Sequence, residues 1–328
     1  MSQKSAEVNN KKFYQTDAFR MFMGKYGIGV ILVFMIIIIA IMKPRFIYPS
    51  NILNVLTQIS VNCLIAYGMC LCITTGGIDL SVGPQLALVS VLLGQFIVVQ
   101  GMNMGLAIIL SLLAATFFGF LNGVLVAKFN MAAFVVTLAT QLVIRSIAQI
   151  ISNGQGMSMA SQEFKNIYSG TFLGIPYPIW YMIIISIVMY IVMHWTKFGR
   201  YVFAVGGNVN AAIASGVNVF WTKTLCYTIS GLLAGIAGVI FTSKTGSAQS
   251  NIGVAYETDA VAACVLGGTS FAGGIATAPG VLLGAVIIGC IYNGMNFLNI
   301  GSYYQYMTKG IIIIFAVLLD MVINKKNR

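Results

Sequence analysis

The chain has 328 residues, of which 59% are hydrophobic and 8% charged, with a mean hydropathy of +0.91. A soluble domain carries roughly 25% charged residues, so this chain lacks the polar groups to cover a core of its size in water. The composition excludes a soluble enzyme, a secreted disulfide scaffold and a disordered chain, and indicates an all-α polytopic membrane protein. The net charge of +11 does not point to nucleic acid, because the 18 Lys and Arg lie between apolar runs rather than in a patch. They read as topology signals.

A polar stretch, 1–25, carries Lys4, Lys11, Lys12, Arg20 and Lys25. The apolar run Tyr26–Met42 follows and ends in Lys43-Pro44-Arg45 without a small-residue cleavage site, so a transmembrane helix is expected rather than a cleaved signal. Within 11–25, Phe13, Phe19, Phe22 and Met23 suit the apolar side of an interfacial helix.

At about 20 apolar residues per crossing, spans are predicted over 26–42, 52–74, 84–100, 104–127, 132–152, 177–195, 224–242, 258–270, 280–298 and 303–323. The eighth is short and its junction with the ninth is glycine-rich, so nine spans is the competing count. Ten spans with both ends inside place Lys4, Lys11, Lys12, Arg20, Lys25, Lys128, Lys197, Arg200, Lys223, Lys325, Lys326 and Arg328 in the cytoplasm. Only Lys43, Arg45, Lys165 and Lys244 fall outside, and Arg145 and Lys309 fall within spans. That bias favours ten. The expected organisation is a cytoplasmic N-terminal segment at 1–25, a transmembrane domain over 26–323 and a cytoplasmic tail at 324–328. Loops at 153–176 and 243–257 are expected outside, and one at 196–223 inside.

No catalytic, metal or cofactor site is expected. The chain has no P-loop, no H-E-x-x-H and no G-x-S-x-G, and its one histidine, His194, makes a poor base near a span end. All six cysteines lie in apolar runs and read as small packing residues. Glycine is about 11% of the chain (35 of 328) against an average near 7%. Pairs such as Gly119/Gly123, Gly231/Gly235 and Gly280/Gly284 have the spacing that lets membrane helices approach closely.

Two segments interrupt apolar stretches. In Thr74-Thr75-Gly76-Gly77-Ile78-Asp79-Leu80-Ser81-Val82-Gly83-Pro84, Gly-Gly breaks a helix, Pro84 suits the first turn of the next, and Asp79 or Ser81 can cap it. Capping and the lining of a polar path are both open readings for Asp79. The second, Leu266-Gly267-Gly268-Thr269-Ser270 through Gly273-Gly274 to Pro279-Gly280, lies in the other half. Two such interruptions suit a transporter built from repeats. Of the charges within spans, Lys309 is expected to snorkel to the outer end. Arg145 lies on a polar stripe with Thr137 and Gln141, which must face protein or water. The candidate solute path is therefore Gly76, Gly77, Asp79, Ser81, Thr137, Gln141, Arg145, Gly267, Gly268, Thr269 and Ser270. The loop at 196–223 runs from Arg200 through Gly207 and Asn208 to Asn210, Ala211, Ala212, Ser215 and Gly216. Its small residues suit a compact knob for docking a partner.

These stretches, with Asn130 to Leu138, resemble the membrane permease subunit of ribose-type bacterial ABC importers, over about 26–323. The resemblance implies a type II importer fold with about ten helices, in the bacterial cytoplasmic membrane. It implies two permease subunits, identical or not, a pair of cytoplasmic ATPase subunits, and an extracytoplasmic binding protein that delivers a small solute such as a monosaccharide. It also implies that Asn210–Gly216, an E-A-A-x-x-x-G-like run with Asn in place of Glu, seats in an ATPase cleft. Alternating access then moves the solute through a weakly selective path. An ion-coupled secondary transporter using Asp79 is the rival reading, as is the same architecture carrying a nucleoside, inositol or a furanone.

Overall fold

A computed structural model describes residues 32–324, apart from 35 and 160. The interfacial helix expected at 11–25, the start of the first predicted span and the residues after 324 lie outside the described residues.

The described chain is helical almost throughout. It comprises α1 (Leu32–Met42), α2 (Pro49–Thr74), α3 (Val82–Leu93, continued to Val99 by wider turns), α4 (Met104–Lys128) and α5 (Ala133–Ser152). There follow α6 (Gln162–Ser169), α7 (Tyr177–Trp195), α8 (Lys197–Gly207), α9 (Val209–Ala214), α10 (Val219–Thr245), α11 (Tyr256–Leu266), α12 (Ala278–Phe297) and α13 (Ser302–Asn324). Helix starts follow their local chemistry. Asn103, Asn208, Asn218 and Thr277 each accept a backbone N–H of the first turn of α4, α9, α10 and α12, and Pro49 opens α2. Four two-residue strands lie in loops: β1 (Met157–Ser158) pairs antiparallel with β4 (Ser247–Ala248), and β2 (Thr171–Phe172) with β3 (Ile175–Pro176).

Among the described residues seven helices are long and apolar enough to cross a membrane: α2, α3 with its continuation, α4, α5, α7, α10 and α12. The most apolar stretch of α2 is 89% buried against 22% for α4 and α5, so α2 is the axis and those two lie at the periphery. The predicted close glycine contacts are present. A Cβ on Gly119 or Gly123 of α4 would overlap the α10 backbone at Tyr227 or Thr224, and one on Gly280 or Gly284 of α12 would overlap Gly267 or Ala263. All six cysteines are buried and unpaired.

The eighth predicted span, 258–270, departs from a single helix. Its helix, α11, has 11 residues, about 16 Å at 1.5 Å per residue, too short to cross. The chain before it, expected as an outer loop, runs into the bundle along α3 as an irregular segment with turns and left-handed residues at Gly253 and Ala255. Gln249 donates its backbone N–H to Ser90 Oγ at 3.2 Å, and further down Gly253 lies against Gly83, where a Cβ would meet the Gly83 carbonyl oxygen at 2.5 Å. Gly83 and Gly253 have no side chains to hold the two segments apart, which permits this descent. The tenth predicted span is the 23-residue α13.

The bundle has two ends. One gathers 75–81, 129–132, 196–218 and 267–277; the other gathers 43–48, 100–103, 153–176 and 298–301. The described basic loop and helix-end residues divide evenly, with Lys128, Lys197, Arg200 and Lys223 at the first end and Lys43, Arg45, Lys165 and Lys244 at the second. The expected inside bias therefore rests on the terminal segments.

Candidate functional site

The break between α2 and α3 begins with a glycine cap. Gly77 N–H reaches Cys72 O and Gly76 N–H reaches Ile73 O, with Gly76 left-handed at φ +81°. This pair of bonds satisfies the last carbonyls of α2. Asp79 then turns inward and is fully buried. Its Oδ1 accepts Ser81 N–H at 3.0 Å and Ser81 Oγ–H at 2.5 Å, while Oδ2 accepts Ser230 Oγ–H of α10 at 2.8 Å. Ser81 Oγ in turn accepts Gln85 Nε2 at 2.7 Å and Asn122 Nδ2 of α4 at 2.8 Å. Five polar side chains thus join the break to α3, α4 and α10 in a network with no water-exposed member. A carboxyl so deeply buried is tolerated because donors surround it.

The second break, between α11 and α12, repeats the opening. Thr269 N–H reaches Cys264 O and Gly268 N–H reaches Val265 O, with Gly268 at φ +83°. Close backbone approach is prominent in its fixing. A Cβ on Gly267 would meet the Gly280 carbonyl oxygen at 2.5 Å, and Thr269 Oγ lies 3.6 Å from the thiol of Cys70 on α2. Thr277 caps α12 by accepting Gly280 N–H.

The two breaks meet each other and the 196–223 loop. Gly274 N–H donates to Thr74 O at 2.9 Å. Gly206, near the end of α8, presses against both, because a Cβ there would overlap Thr74 O and lie 2.5 Å from Gly274 N. Beyond this junction the loop stands off as the α8–α9 knob. Arg200, Gly207, Asn208, Asn210, Ala211, Ser215 and Gly216 are exposed and Ala212 is buried beneath them. Gly216 ends α9 in a left-handed turn at φ +79°. Ile213 and Trp221 present apolar surface beside it, 57% and 50% exposed.

The residues read from the sequence as one path separate into three places. Gly76 and Gly77 line a cleft of about 190 Å³ at the knob end, with Asn130, Lys223 and Tyr227. Asp79, Ser81, Thr137, Thr269 and Ser270 are buried, and Thr137 Oγ lies 3.2 Å from Ile78 O. Gln141 is half-buried on the same helix as Arg145. Arg145 stands apart from the breaks. Its Nη1 donates to Ser250 O and Ile252 O, both at 2.6 Å, and so pins the irregular segment that precedes α11. Lys309 does not snorkel to the bundle end, since its Nζ forms an ion pair with Asp259 of α11 at 2.6 Å. Among the described residues no group of three or more His, Cys, Asp or Glu is placed to hold a metal ion.

Sequence reading missed Gln85, Asn122 and Ser230 in the network, and Asp259 with Tyr292 around Lys309. A lone polar residue in an apolar run has to face protein or water, which flags such residues, though not their partners.

Residues 51–317 match the family described as branched-chain amino acid transport system / permease component. The chain is 44% identical over 300 residues to the ribose import permease protein RbsC of Bacillus subtilis, covering 91% of this chain and 93% of that protein. It is 40% identical to RbsC of Escherichia coli K12, covering 90% and 92%. It is 35% identical to the D-allose transport system permease protein AlsC of the same strain, covering 98% of both. No solved structure matches.

Proposed function

The chain belongs to that permease family, and on this premise we propose that it is the membrane subunit of an ATP-driven importer, forming the path for a monosaccharide. The sugar class is supported by relatives named for ribose and allose that align over nine-tenths or more of the chain. The observation that carries the mechanism is the Gly206 junction, where the knob, the end of α2 and the second break touch backbone to backbone. Close-packed backbone transmits displacement rather than absorbing it. A push on α8–α9 therefore moves both helix breaks at once.

In this reading the chain makes ten crossings, the eighth completed by the irregular segment together with α11, in the type II importer manner. Both termini face the cytoplasm. Residues 1–25 lead into the permease domain at 26–323, the tail begins at 324, and 196–223 is the coupling loop. A pair of ATPase subunits seats on Arg200, Gly207, Asn208, Asn210, Ala211, Ala212, Ser215 and Gly216. A second permease subunit lies alongside, and a binding protein delivers solute to the opposite end. ATP hydrolysis belongs to the partner. The path residues are Gly76, Gly77, Gln141, Gly267 and Gly268, with Asp79, Ser81, Thr137, Arg145, Thr269 and Ser270 holding its walls. The ion-coupled alternative is disfavoured because both Asp79 oxygens are already engaged by Ser81 and Ser230.

The test is uptake in proteoliposomes holding the permease, its ATPase and its binding protein. Solute-stimulated ATP hydrolysis and uptake are expected together, and absence of stimulation overturns the reading. Gly216→Glu adds a charge to the exposed knob and roughly 1–2 kcal/mol of left-handed strain. It is expected to insert normally and fail to retain the ATPase; normal transport would remove the coupling assignment.

A further inference from the structure

The irregular segment before α11 opens a second polar region, at the end of the bundle away from the knob. Backbone that is neither helical nor sheet-paired is tolerated inside a membrane only where protein covers it or where it lines a polar cavity. Both conditions are met here. Arg145 and Gly83 cover one side of the segment. On the other side lies an open cavity of about 210 Å³ between α11, α12 and α13, lined by Val254, Tyr256, Asp259, Tyr292, Tyr306 and Lys309 among others.

The lining has a definite chemistry. Asp259 sits on the first turn of the half-length helix. Tyr292 donates its hydroxyl to Asp259 Oδ1 at 2.9 Å, and Lys309 Nζ pairs with the same oxygen. Both contacts fall on Oδ1, which leaves Oδ2 as an acceptor. Lys309 also points at Ala255 O, 3.4 Å away, so its ammonium holds the left-handed residue that leads into α11. The Tyr292 and Tyr306 rings flank that ammonium with centroids at 5.7 and 5.2 Å. An ion pair in a membrane core is costly, and such pairs mark solute or ion routes. Here the pair comes with aromatic faces and a spare acceptor, a combination suited to a neutral ring bearing several hydroxyls. The volume corresponds to about seven waters at roughly 30 Å³ each, which suits one pentose or hexose rather than a disaccharide.

We propose that this cavity is a solute subsite on the far side of the permease, in which Asp259 and Lys309 bind the hydroxyls of a single monosaccharide and Tyr292 and Tyr306 bracket its ring. The subsite rests on the importer reading and adds to it the residues that touch the cargo. Its holding is weak, because the Asp259–Lys309 pair must exchange part of its own contact for the sugar.

The experiment uses the complete importer in proteoliposomes and reads uptake of radiolabelled ribose, allose and galactose beside solute-stimulated ATP hydrolysis. Asp259→Asn removes the ion pair. Val254→Trp fills the cavity mouth from a residue that is 63% exposed and makes no bond in the fold. Both are expected to cut uptake about tenfold, the loss of one or two charge-assisted hydrogen bonds, while stimulated ATP hydrolysis stays within about twofold. Wild-type uptake in Val254→Trp overturns the subsite. So does a parallel fall of uptake and ATP hydrolysis in Val254→Trp, which would mark a structural role. If Asp259→Asn does not assemble, Val254→Trp decides alone. A wild-type complex that carries none of the three sugars and shows no stimulated hydrolysis overturns the importer reading and the subsite with it.

Discussion

The two helix breaks start alike and are secured by different means. Each ends its helix with the same pair of backbone bonds and a left-handed glycine, Gly76 in one and Gly268 in the other. The first is then tied by Asp79, Ser81, Gln85, Asn122 and Ser230 into three helices. The second is held where Gly267 packs against Gly280 and where Gly274 N–H reaches Thr74 O. A directional network fixes one geometry, because any displacement leaves buried polar groups unpaired. Close backbone contact resists added bulk instead, since a single Cβ would overlap the facing chain.

The comparison fails first if the network is not what fixes the first break. Asp79→Ala leaves Ser81 N–H and the Ser230 hydroxyl without their buried acceptor, and is expected to cost about 4 kcal/mol, read as a lowered midpoint of thermal unfolding in detergent. Asp79→Asn keeps an acceptor for Ser81 and is expected to lose less than about 1 kcal/mol, with uptake insensitive to a proton uncoupler. Collapse of transport in Asp79→Asn without loss of stability would return Asp79 to an ion-coupling role. Gly206→Val forces bulk into the junction shared by both breaks. It is expected to cost about 3 kcal/mol and to abolish uptake even where the protein is recovered folded. Gly267→Ala touches the second break alone. A single methyl against a carbonyl is expected to cost about 2 kcal/mol and to slow turnover more than it lowers stability; an effect on stability alone would make the second break as fixed as the first. The smallest change expected is in Asn210→Glu on the exposed knob, worth less than about 1 kcal/mol. It is read as the amount of ATPase retained on the purified permease at low and high salt.

Much of this architecture was legible in the sequence because its signals are local. Seven apolar runs met the length of a bilayer. Gly-Gly followed by Pro marked both breaks, and the small residues from Gly206 to Gly216 marked the knob. What was not legible depends on distance along the chain. The partners of Asp79 come from α3, α4 and α10, the most remote being Ser230, 151 residues away. Asp259 and Lys309 looked like a span terminus and a snorkelling lysine, since nothing in a linear sequence reports that two charges 50 residues apart share a cavity. The eighth span misled for a further reason. A hydropathy rule measures how apolar a stretch is, not whether its backbone is helical, and Asn251-Ile252-Gly253-Val254-Ala255 gives no sign that it enters the bundle beside α3.

The short α11 also bears on how the molecule reaches its membrane. A segment of 11 residues carrying Glu257 and Asp259 is too short and too charged to leave the translocation machinery as a stable crossing by itself. Its bed is made by α2 and α3, which are synthesised earlier, while the cation that pairs with Asp259 comes from α13, which is synthesised last. Burial of the half-length helix therefore depends on parts of the chain made both before and after it, and this region is expected to become resistant to protease late in synthesis.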